Sequence, residues 1–161
     1  MSQSISNATI STYDMNRYTT KYSVECRLNH PDAKLPKRAN PTDAGADLYS
    51  CEDVTIAPGT IMLVDTGVAI KTPRNYASFI YNRSGQGAKG IMVANGVGVV
   101  DSDYRGNLKV ALYNAREDAY IIHKGDRIAQ LVLQQVELVD FVDSWNDTKR
   151  GTGGFGSTGT N

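Results

Sequence analysis

The chain has 161 residues, which suits a single domain able to bury roughly 70% of its extended surface on folding. Its 17 basic and 17 acidic side chains balance, and no basic run marks a nucleic-acid track or a membrane surface. Cys26 and Cys51 have no metal-type spacing, and every apolar run falls far short of the roughly 20 residues that a membrane helix needs. We therefore expect a cytoplasmic protein, or an intracellular protein of a host if it is viral, with reduced thiols. We expect it to bind neither nucleic acid nor a membrane.

Residues 1–20 are rich in Ser, Thr and Asn without apolar periodicity, so we expect a flexible N-terminal extension. From Tyr22 onward short β-favouring runs recur, separated by turns that contain Pro or Gly. These runs read YSVECRL, IMLVDTGVAI, YASFIYN, GVGVV, NLKVALYN and AYIIH. The pattern predicts an all-β domain over residues 21–145.

The C-terminal part of the chain is less regular. Residues 127–142 fit a helical stripe and a strand alternation about equally well, and the surrounding pattern favours strands. Residues 146–161 contain five glycines and a single Phe. That composition cannot form a core, so we expect a flexible Gly-rich tail.

The stretch NGVGVVDSDYRG, from Asn95 to Gly106, is the most informative part of the chain. A run rich in β-branched valines is followed there by two acids, Asp101 and Asp103, and by the aromatic ring of Tyr104. One acid could act as a base. The alternative is a β-turn whose Asp side chains bond backbone amides, and this segment alone favours the turn.

Other segments have the composition of ligand-binding loops. NRSGQGAKG, residues 82–90, lets backbone N–H groups and Arg83 converge on phosphate oxygens, although it lacks the Lys-Ser ending of a P-loop. The tail from Arg150, RGTGGFGSTG, is similar in kind. Without further support an ordinary flexible loop is favoured for residues 82–90, and a disordered tail is the alternative for the second segment. His30 and His123 have no carboxylate or thiol at ligand spacing, so we assign them no role.

Taken in order and spacing, five segments resemble the five motifs of the trimeric dUTP diphosphatases (dUTPases). They are PTDAGADL, NRSGQGAKG, NGVGVVDSDYRG, GDRIAQLVL and RGTGGFGSTG. The match spans about residues 41–159. The resemblance implies an all-β, jelly-roll-like distorted β-barrel, assembled as a homotrimer whose three active sites each borrow residues from all three subunits.

The resemblance also implies the reaction. The substrate is dUTP and the products are dUMP and pyrophosphate, which limits uracil incorporation into DNA and supplies dUMP for dTMP synthesis. Asp101 is the implied base that orients and deprotonates a water for in-line attack on the α-phosphorus, because a carboxylate is ionised at neutral pH. Tyr104 would pack its ring against deoxyribose and leave little room for a 2′-hydroxyl.

A uracil slot is implied by the same motif. Asn95 would bond the uracil edge. The backbone of Gly98, Val99 and Val100, with Lys109 on the returning strand, would complete a narrow hairpin slot. Its shape would exclude the thymine methyl, and mismatched hydrogen bonds would reject the cytosine amine.

Phosphate and metal binding are assigned by the second, first and fourth motifs. Arg83, Ser84 and Gly85 match the family's phosphate-binding positions, and Gln130 would bond the α-phosphate. The expected cofactor is Mg²⁺, held mainly by the substrate phosphates and waters, with Asp47 in a supporting, water-mediated role.

The tail of a neighbouring subunit is expected to close over the bound nucleotide. In that closure Phe155 would stack on uracil and Arg150 would meet phosphate charge. The terminal phosphate would be reached by Gly156, Ser157 and Thr158.

Two departures and three rival functions stand beside this interpretation. Asn82 replaces a common Pro and Gln86 replaces a common apolar residue, which puts the stiffness of that loop in doubt. A dCTP deaminase of the same fold is disfavoured by DSDYRG. A regulatory trimer that binds nucleotide and engages a protein partner remains open as a second role, whereas a jelly roll without any site needs five coincidental matches.

Overall fold

The computed structural model describes residues 23–153, and its regular structure there is eleven β-strands and one four-residue helix. The all-β prediction is confirmed. In chain order the elements are β1 (Cys26–Leu28), β2 (Ala46–Tyr49), β3 (Val54–Ile56), β4 (Ile61–Asp65), β5 (Val68–Ile70), β6 (Tyr76–Tyr81), α1 (Ser84–Gly87), β7 (Ile91–Val93), β8 (Gly98–Val100), β9 (Lys109–Asn114), β10 (Tyr120–Ile122) and β11 (Arg127–Gln135).

The strands form antiparallel sheets that join distant parts of the sequence. The largest sheet has the order β2-β11-β6-β8, and a second has the order β4-β9-β7. Two further pairs, β1-β5 and β10-β3, complete the described structure. Most neighbouring strands in these sheets are far apart in the chain. The sheets enclose one core, as in a jelly-roll barrel.

Alternation along the strands explains which side chains are buried. In β9, Val110, Leu112 and Asn114 face inward, and the residues between them are more exposed. The buried amide of Asn114 is satisfied, because its Nδ2 donates to the carbonyl oxygens of Ile56 and Asp118, both at 2.9 Å. The core is one aliphatic cluster that includes Leu48, Ile56, Val64, Val68, Ile80, Ile91, Leu108, Val110, Leu112, Ile122, Ile128 and Leu131.

Two sequence predictions differ from the structure. The strand predicted over residues 127–142 ends at Gln135, and the following residues have no regular structure. Leu138 and Phe141 are 70% and 95% exposed there, and among the described residues no strand pairs with them. Residues 82–90 contain α1 instead of a plain loop.

The predicted N-terminal extension, residues 1–20, lies outside the described residues, as do residues 154–161 of the predicted tail. Residues 146–153 are described and contain neither a strand nor a helix. The described part of the chain has no helix that is long and apolar enough to cross a membrane.

Neighbouring isoleucines on β10 give a matched test of this core. Ile122 is fully buried, whereas Ile121 is 56% exposed. We expect Ile122→Ala to lower the free energy of unfolding by about 2–5 kcal/mol, because it removes packed methylenes and leaves a cavity. Ile121→Ala should cost less than about 1 kcal/mol. Urea unfolding at one protein concentration measures both, and equal losses would contradict the inward orientation of Ile122.

Candidate functional site

Five of the predicted site residues line one concave pocket of about 320 Å³, which we call the arginine pocket. Its complete lining is Ala39, Asp43, Ala44, Gly45, Asp47, Arg83, Ser84, Gly85, Arg127 and Gln130. These residues come from β2 and the segment before it, the start of α1 with the residue that precedes it, and the first half of β11. Three motifs that are far apart in sequence therefore meet at one end of the four-stranded sheet.

Local geometry presents the start of α1 to the pocket. Arg83 keeps an extended backbone after β6 (φ −88°, ψ 135°), and its carbonyl accepts the backbone N–H of Gly87 at 2.9 Å. Ser84 and Gly85 follow and are exposed. A Cβ on Gly85 would meet no atom within 4 Å, so the pocket has free space beside this backbone.

A single carboxylate organises the charges of the arginine pocket. Asp47 Oδ1 accepts Arg83 Nε at 2.7 Å, and Oδ2 accepts Arg127 Nη1 at 3.3 Å. The Asp47 side chain is only 13% exposed, which weakens solvent screening of these pairs. Asp43 brings a second carboxylate. The lining therefore has two formal positive and two formal negative charges.

Gln130 is held with its amide towards the chain that leads into α1. Its Nε2 donates to the carbonyl oxygen of Asn82 at 2.9 Å. Gly45 leaves room for this amide, because a Cβ on Gly45 would lie 2.5 Å from Gln130 Oε1. A Cβ at this position would therefore push the Gln130 amide aside.

Another five predicted residues line a second pocket of about 290 Å³, which we call the tyrosine pocket. Its lining is Leu63, Ile80, Val99, Val100, Asp101, Tyr104, Asn107, Leu108 and Lys109. It combines apolar side chains with one carboxylate, one ammonium and one phenol. Such a mixture is typical of sites that bind a small molecule in a fixed orientation.

The turn after β8 sets the positions of Asp101 and Tyr104. The Tyr104 backbone N–H donates to the Asp101 carbonyl at 3.3 Å, which closes the turn. The Tyr104 hydroxyl donates to the Asn107 carbonyl at 3.0 Å. A Cβ on Gly106 would collide with the Tyr104 ring, so this glycine is the reason that the ring can fold back over the turn. The Asp101 carboxylate stays exposed.

A polar network supports the other wall of the tyrosine pocket. Asp65 Oδ2 accepts Asn107 Nδ2 at 3.3 Å and lies 3.8 Å from Lys109 Nζ. Asn107 Oδ1 in turn accepts Asn29 Nδ2 at 2.7 Å. The position of Lys109 beside the pocket is therefore tied to β4, β9 and the end of β1.

Asp101 and Arg83 lie at opposite ends of β6, and the tyrosine pocket extends along the strand as far as Ile80. In the antiparallel register Ser78 faces Val100 and Ile80 faces Gly98, so Asp101 falls beside Ala77. Arg83 lies six residues further along the chain, and its backbone is still extended. Six extended residues span roughly 20 Å. The predicted base and the predicted phosphate ligand of one chain are therefore far apart.

Three predicted residues lie outside both pockets. Asn95 lies in the turn between β7 and β8, at the end of β8 away from Asp101, and Gly98 is buried against Ile80. Arg150 is exposed, and its Nε donates to the Gly153 carbonyl at 3.0 Å. The predicted contacts of Phe155, Gly156, Ser157 and Thr158 lie outside the described residues.

Sequence reasoning missed three residues that shape the pockets. Arg127 and Asn107 line them, and Gln86 is buried beneath the arginine pocket, where its amide hydrogen-bonds Arg127. Arg127 lies inside the fourth motif, and Asn107 directly follows the third. Only their hydrogen bonds to distant strands reveal their roles.

The remaining candidates are isolated. His30 Nδ1 lies 3.9 Å from Asp32, and His123 Nδ1 lies 3.6 Å from Asp53. Among residues 23–153 no three His, Cys, Asp or Glu side chains are grouped so that they could hold a metal ion. Both cysteines are free thiols, and burial raises the pKa of each.

The sequence matches one protein family over most of its length. The family model described as dUTPase matches residues 31–159. The deoxyuridine 5′-triphosphate nucleotidohydrolase of Thermobifida fusca is 51% identical over 140 residues, which cover 84% of this chain and 78% of that protein. That of Rhodococcus erythropolis is 51% identical over 141 residues, with 85% and 86% covered.

Solved structures agree with this match. The dUTPase of Staphylococcus bacteriophage 80alpha with dUPNHPP has a TM-score of 0.76 at 28% identity, and the match covers 86% of this chain and 99% of that one. The D95N dUTPase of the S. aureus phage phi11 has a TM-score of 0.70 at 25% identity, with 78% and 100% covered, and it coordinates a structural Mg(II) ion. The fold, the motifs and the relatives together show that the chain belongs to the dUTPase family.

Proposed function

We propose that this chain hydrolyses dUTP to dUMP and pyrophosphate at sites formed between copies of the chain, each site joining one tyrosine pocket to one arginine pocket. The observation that carries the proposal is the split of the site residues. The tyrosine pocket holds the carboxylate that would activate water, and the arginine pocket holds the phosphate ligands. Each pocket has half of the chemistry that the family reaction needs.

Asp101 is the proposed general base. Its carboxylate is exposed at the mouth of the tyrosine pocket, on a turn that the Tyr104 N–H closes. It would accept a proton from one water as that water attacks the α-phosphorus. The bond from this phosphorus to the bridging oxygen then breaks, and pyrophosphate leaves with the bond electrons. The base must lie within about 3 Å of the water, so the fixed turn geometry contributes directly to the rate.

Selection of the deoxyuridine moiety is assigned to the other side of the tyrosine pocket. The Tyr104 ring, held over Gly106 by its hydrogen bond to Asn107, would pack against deoxyribose and exclude a 2′-hydroxyl. Uracil would enter along the β8 backbone towards Asn95. A polar edge left unpaired by cytosine would cost binding energy, which supports discrimination by hydrogen bonding.

Phosphate binding is assigned to the arginine pocket. Arg83, Ser84 and Gly85 would meet the outer phosphates, and Gln130 the α-phosphate. The Arg83 guanidinium is already oriented by Asp47, so little side-chain entropy is lost when phosphate binds.

The charges of this pocket fit a magnesium-loaded substrate. Its two carboxylates offset its two guanidiniums, so a triphosphate entering there needs further positive charge. Mg²⁺ carried by the phosphates would supply that charge and stabilise charge developing on the phosphoryl oxygens. Both oxygens of Asp47 accept protein hydrogen bonds, which suits a water-mediated contact better than direct coordination.

Exposed apolar surface supports the assembly of copies. On the sheet β4-β9-β7, Ile61, Tyr113 and Met92 are register neighbours, and Leu63 two residues along β4 is 61% exposed and lines the tyrosine pocket. An exposed apolar sheet face of this kind typically marks an interface. We propose the homotrimer of the family, in which contact at this face places a second chain beside the tyrosine pocket.

The segment after β11 is the proposed link to the third subunit. It has exposed apolar side chains at Leu138, Val139, Phe141, Val142 and Trp145. From there the chain leads to Arg150 and the Gly-rich tail, which would close over nucleotide bound between two other subunits. Closure would exclude bulk water and strengthen the charge contacts.

One assay separates this function from its rivals. With dUTP and magnesium, a diphosphatase releases pyrophosphate, whereas a deaminase releases ammonia from dCTP. A purely regulatory nucleotide-binding trimer does neither. The lining of the tyrosine pocket has Asp101 as its only carboxylate and includes no glutamate, which supports the diphosphatase.

The free thiols support a location inside the cell. Cys51 is buried and Cys26 lies exposed on β1, and neither forms a disulfide. Unpaired cysteines are typical of reducing compartments. We therefore propose a cytoplasmic enzyme.

Replacement of the proposed base separates binding from turnover. Asp101→Asn should lower kcat about 10²–10⁴-fold, because the amide cannot accept the proton of the attacking water. Affinity for a non-hydrolysable imido analogue of dUTP should change little. Asp103→Asn, two residues away in the same turn, is the matched control and should stay within about twofold of the parent rate. Near-normal turnover in Asp101→Asn would refute the assignment.

Mixing two inactive variants tests whether sites are shared. Trimers of Asp101→Asn and of Arg83→Ala should each be nearly inactive. Because each site would take these two residues from different chains, equimolar refolding of both should restore about a quarter of the sites. Pyrophosphate release before and after mixing measures this. If the mixture stays as inactive as its components, both residues belong to the same chain in each site.

Gly45 offers a test of the Gln130 assignment. Gly45→Ala should lower kcat/KM about tenfold, because the new Cβ displaces the Gln130 amide from its contact with Asn82. In a Gln130→Ala background the same change should add little. A full loss in both backgrounds would show that Gly45 acts through another contact.

A further inference from the structure

Gln86 is a buried amide beneath the arginine pocket. It is 7% exposed and lies in α1, two residues after Ser84. Its Oε1 accepts the hydroxyl of Tyr120 at 2.9 Å, and its Nε2 donates to the carbonyl of Arg127 at 3.2 Å. The side chain therefore ties α1 to β10 and to the start of β11.

These hydrogen bonds continue to the guanidinium of Arg83. The Arg127 carbonyl that accepts Gln86 also accepts Arg83 Nη1 at 3.4 Å. Arg83 and Arg127 then share the two oxygens of Asp47. An unbroken polar path thus runs from the Tyr120 hydroxyl to the proposed phosphate ligand.

The side chain of Asn82 constrains the segment of residues 82–90 only weakly. An Asn does not fix φ as a Pro would. Its Nδ2 makes one long bond to the Ile91 carbonyl at 3.3 Å, and its Oδ1 is buried without a hydrogen-bond partner among the described residues. The hydrogen bonds of Gln86 supply a constraint that Asn82 does not.

A polar pair at this depth is not needed for packing. An apolar pair of similar shape can replace two buried hydrogen-bonding partners at nearly no cost in stability. Packing alone therefore does not explain why Gln86 and Tyr120 are polar. The hydrogen bond from Gln86 to the Arg127 carbonyl, which also accepts Arg83, indicates a role in orienting Arg83.

We propose that Gln86 and Tyr120 are positioning residues, which hold α1 and Arg83 in the orientation that binds the outer phosphates of the substrate. This inference rests on the proposed function. Neither residue touches substrate, and their effect passes through the Arg127 carbonyl to Arg83. Tyr120 acts by holding the Oε1 end of the Gln86 amide, while the Arg127 carbonyl, which can only accept, fixes the Nε2 end.

Single variants test the proposal by comparing two ligands. In Tyr120→Phe and Gln86→Leu, affinity for the non-hydrolysable imido analogue of dUTP should fall about fivefold to tenfold, because the Arg127 carbonyl that Arg83 shares with Gln86 is held less firmly. Affinity for dUMP, which has no outer phosphates, should stay within about twofold. Titration calorimetry below the unfolding temperature measures both. An equal fall for the two ligands, or no fall for either, would overturn the proposal.

The double variant separates positioning from stability. Gln86→Leu with Tyr120→Phe removes both polar partners, so the thermal stability lost in each single variant should largely return. The ratio of the two affinities should stay low, since Arg83 still lacks the support of Gln86. If that ratio returns to the parent value together with stability, the pair is structural and the proposal is wrong.

Tyr76→Phe is the matched control. Tyr76 is also half-buried, begins β6 at the end away from Arg83, and lies outside both pockets. Its removal should leave both affinities unchanged. Failure of the proposed function would be seen separately, because the parent protein would then release no pyrophosphate from dUTP. Loss of ligand discrimination in the variants concerns the positioning pair alone.

Discussion

The pairing of β6 with β8 is the constraint on which the whole site depends. The antiparallel register carries the turn with Asp101 to one end of β6 and leaves Arg83 at the other. A strand is stiff over this length, so no local rearrangement brings the two groups together. One barrel therefore carries these groups in separate pockets, and the proposed site joins the pockets of two barrels.

Within the arginine pocket, the positions of the two arginine side chains depend on Asp47. One carboxylate of low exposure aligns two guanidiniums that would otherwise repel each other, at 2.7 and 3.3 Å. The arginines are thereby oriented before any ligand arrives. Preorganised donors of this type lose little entropy on binding and respond strongly to phosphate charge. The buried amide of Gln86 donates to the Arg127 carbonyl and so connects these arginines to the core.

The sequence predicted the strands and the turn after β8 well, because alternation and turn chemistry are local properties. The end of β11 at Gln135 was not predictable, since the apolar residues that follow have the pattern of a strand but pair with no strand in the described part of the chain. The roles of Arg127 and Gln86 were not predictable for a related reason. Their contacts join α1, β2, β10 and β11, and no spacing along the sequence records such a network.

Because the proposed site is divided between copies of the chain, the activity would depend on protein concentration. A subunit that has folded but has not met others would be inert towards nucleotide, whatever the quality of its own pockets. The rate per chain would then rise with concentration until assembly is complete. Dilution would abolish the activity by separating the subunits, without unfolding them. Damage to one subunit would likewise spread to the sites of its neighbours.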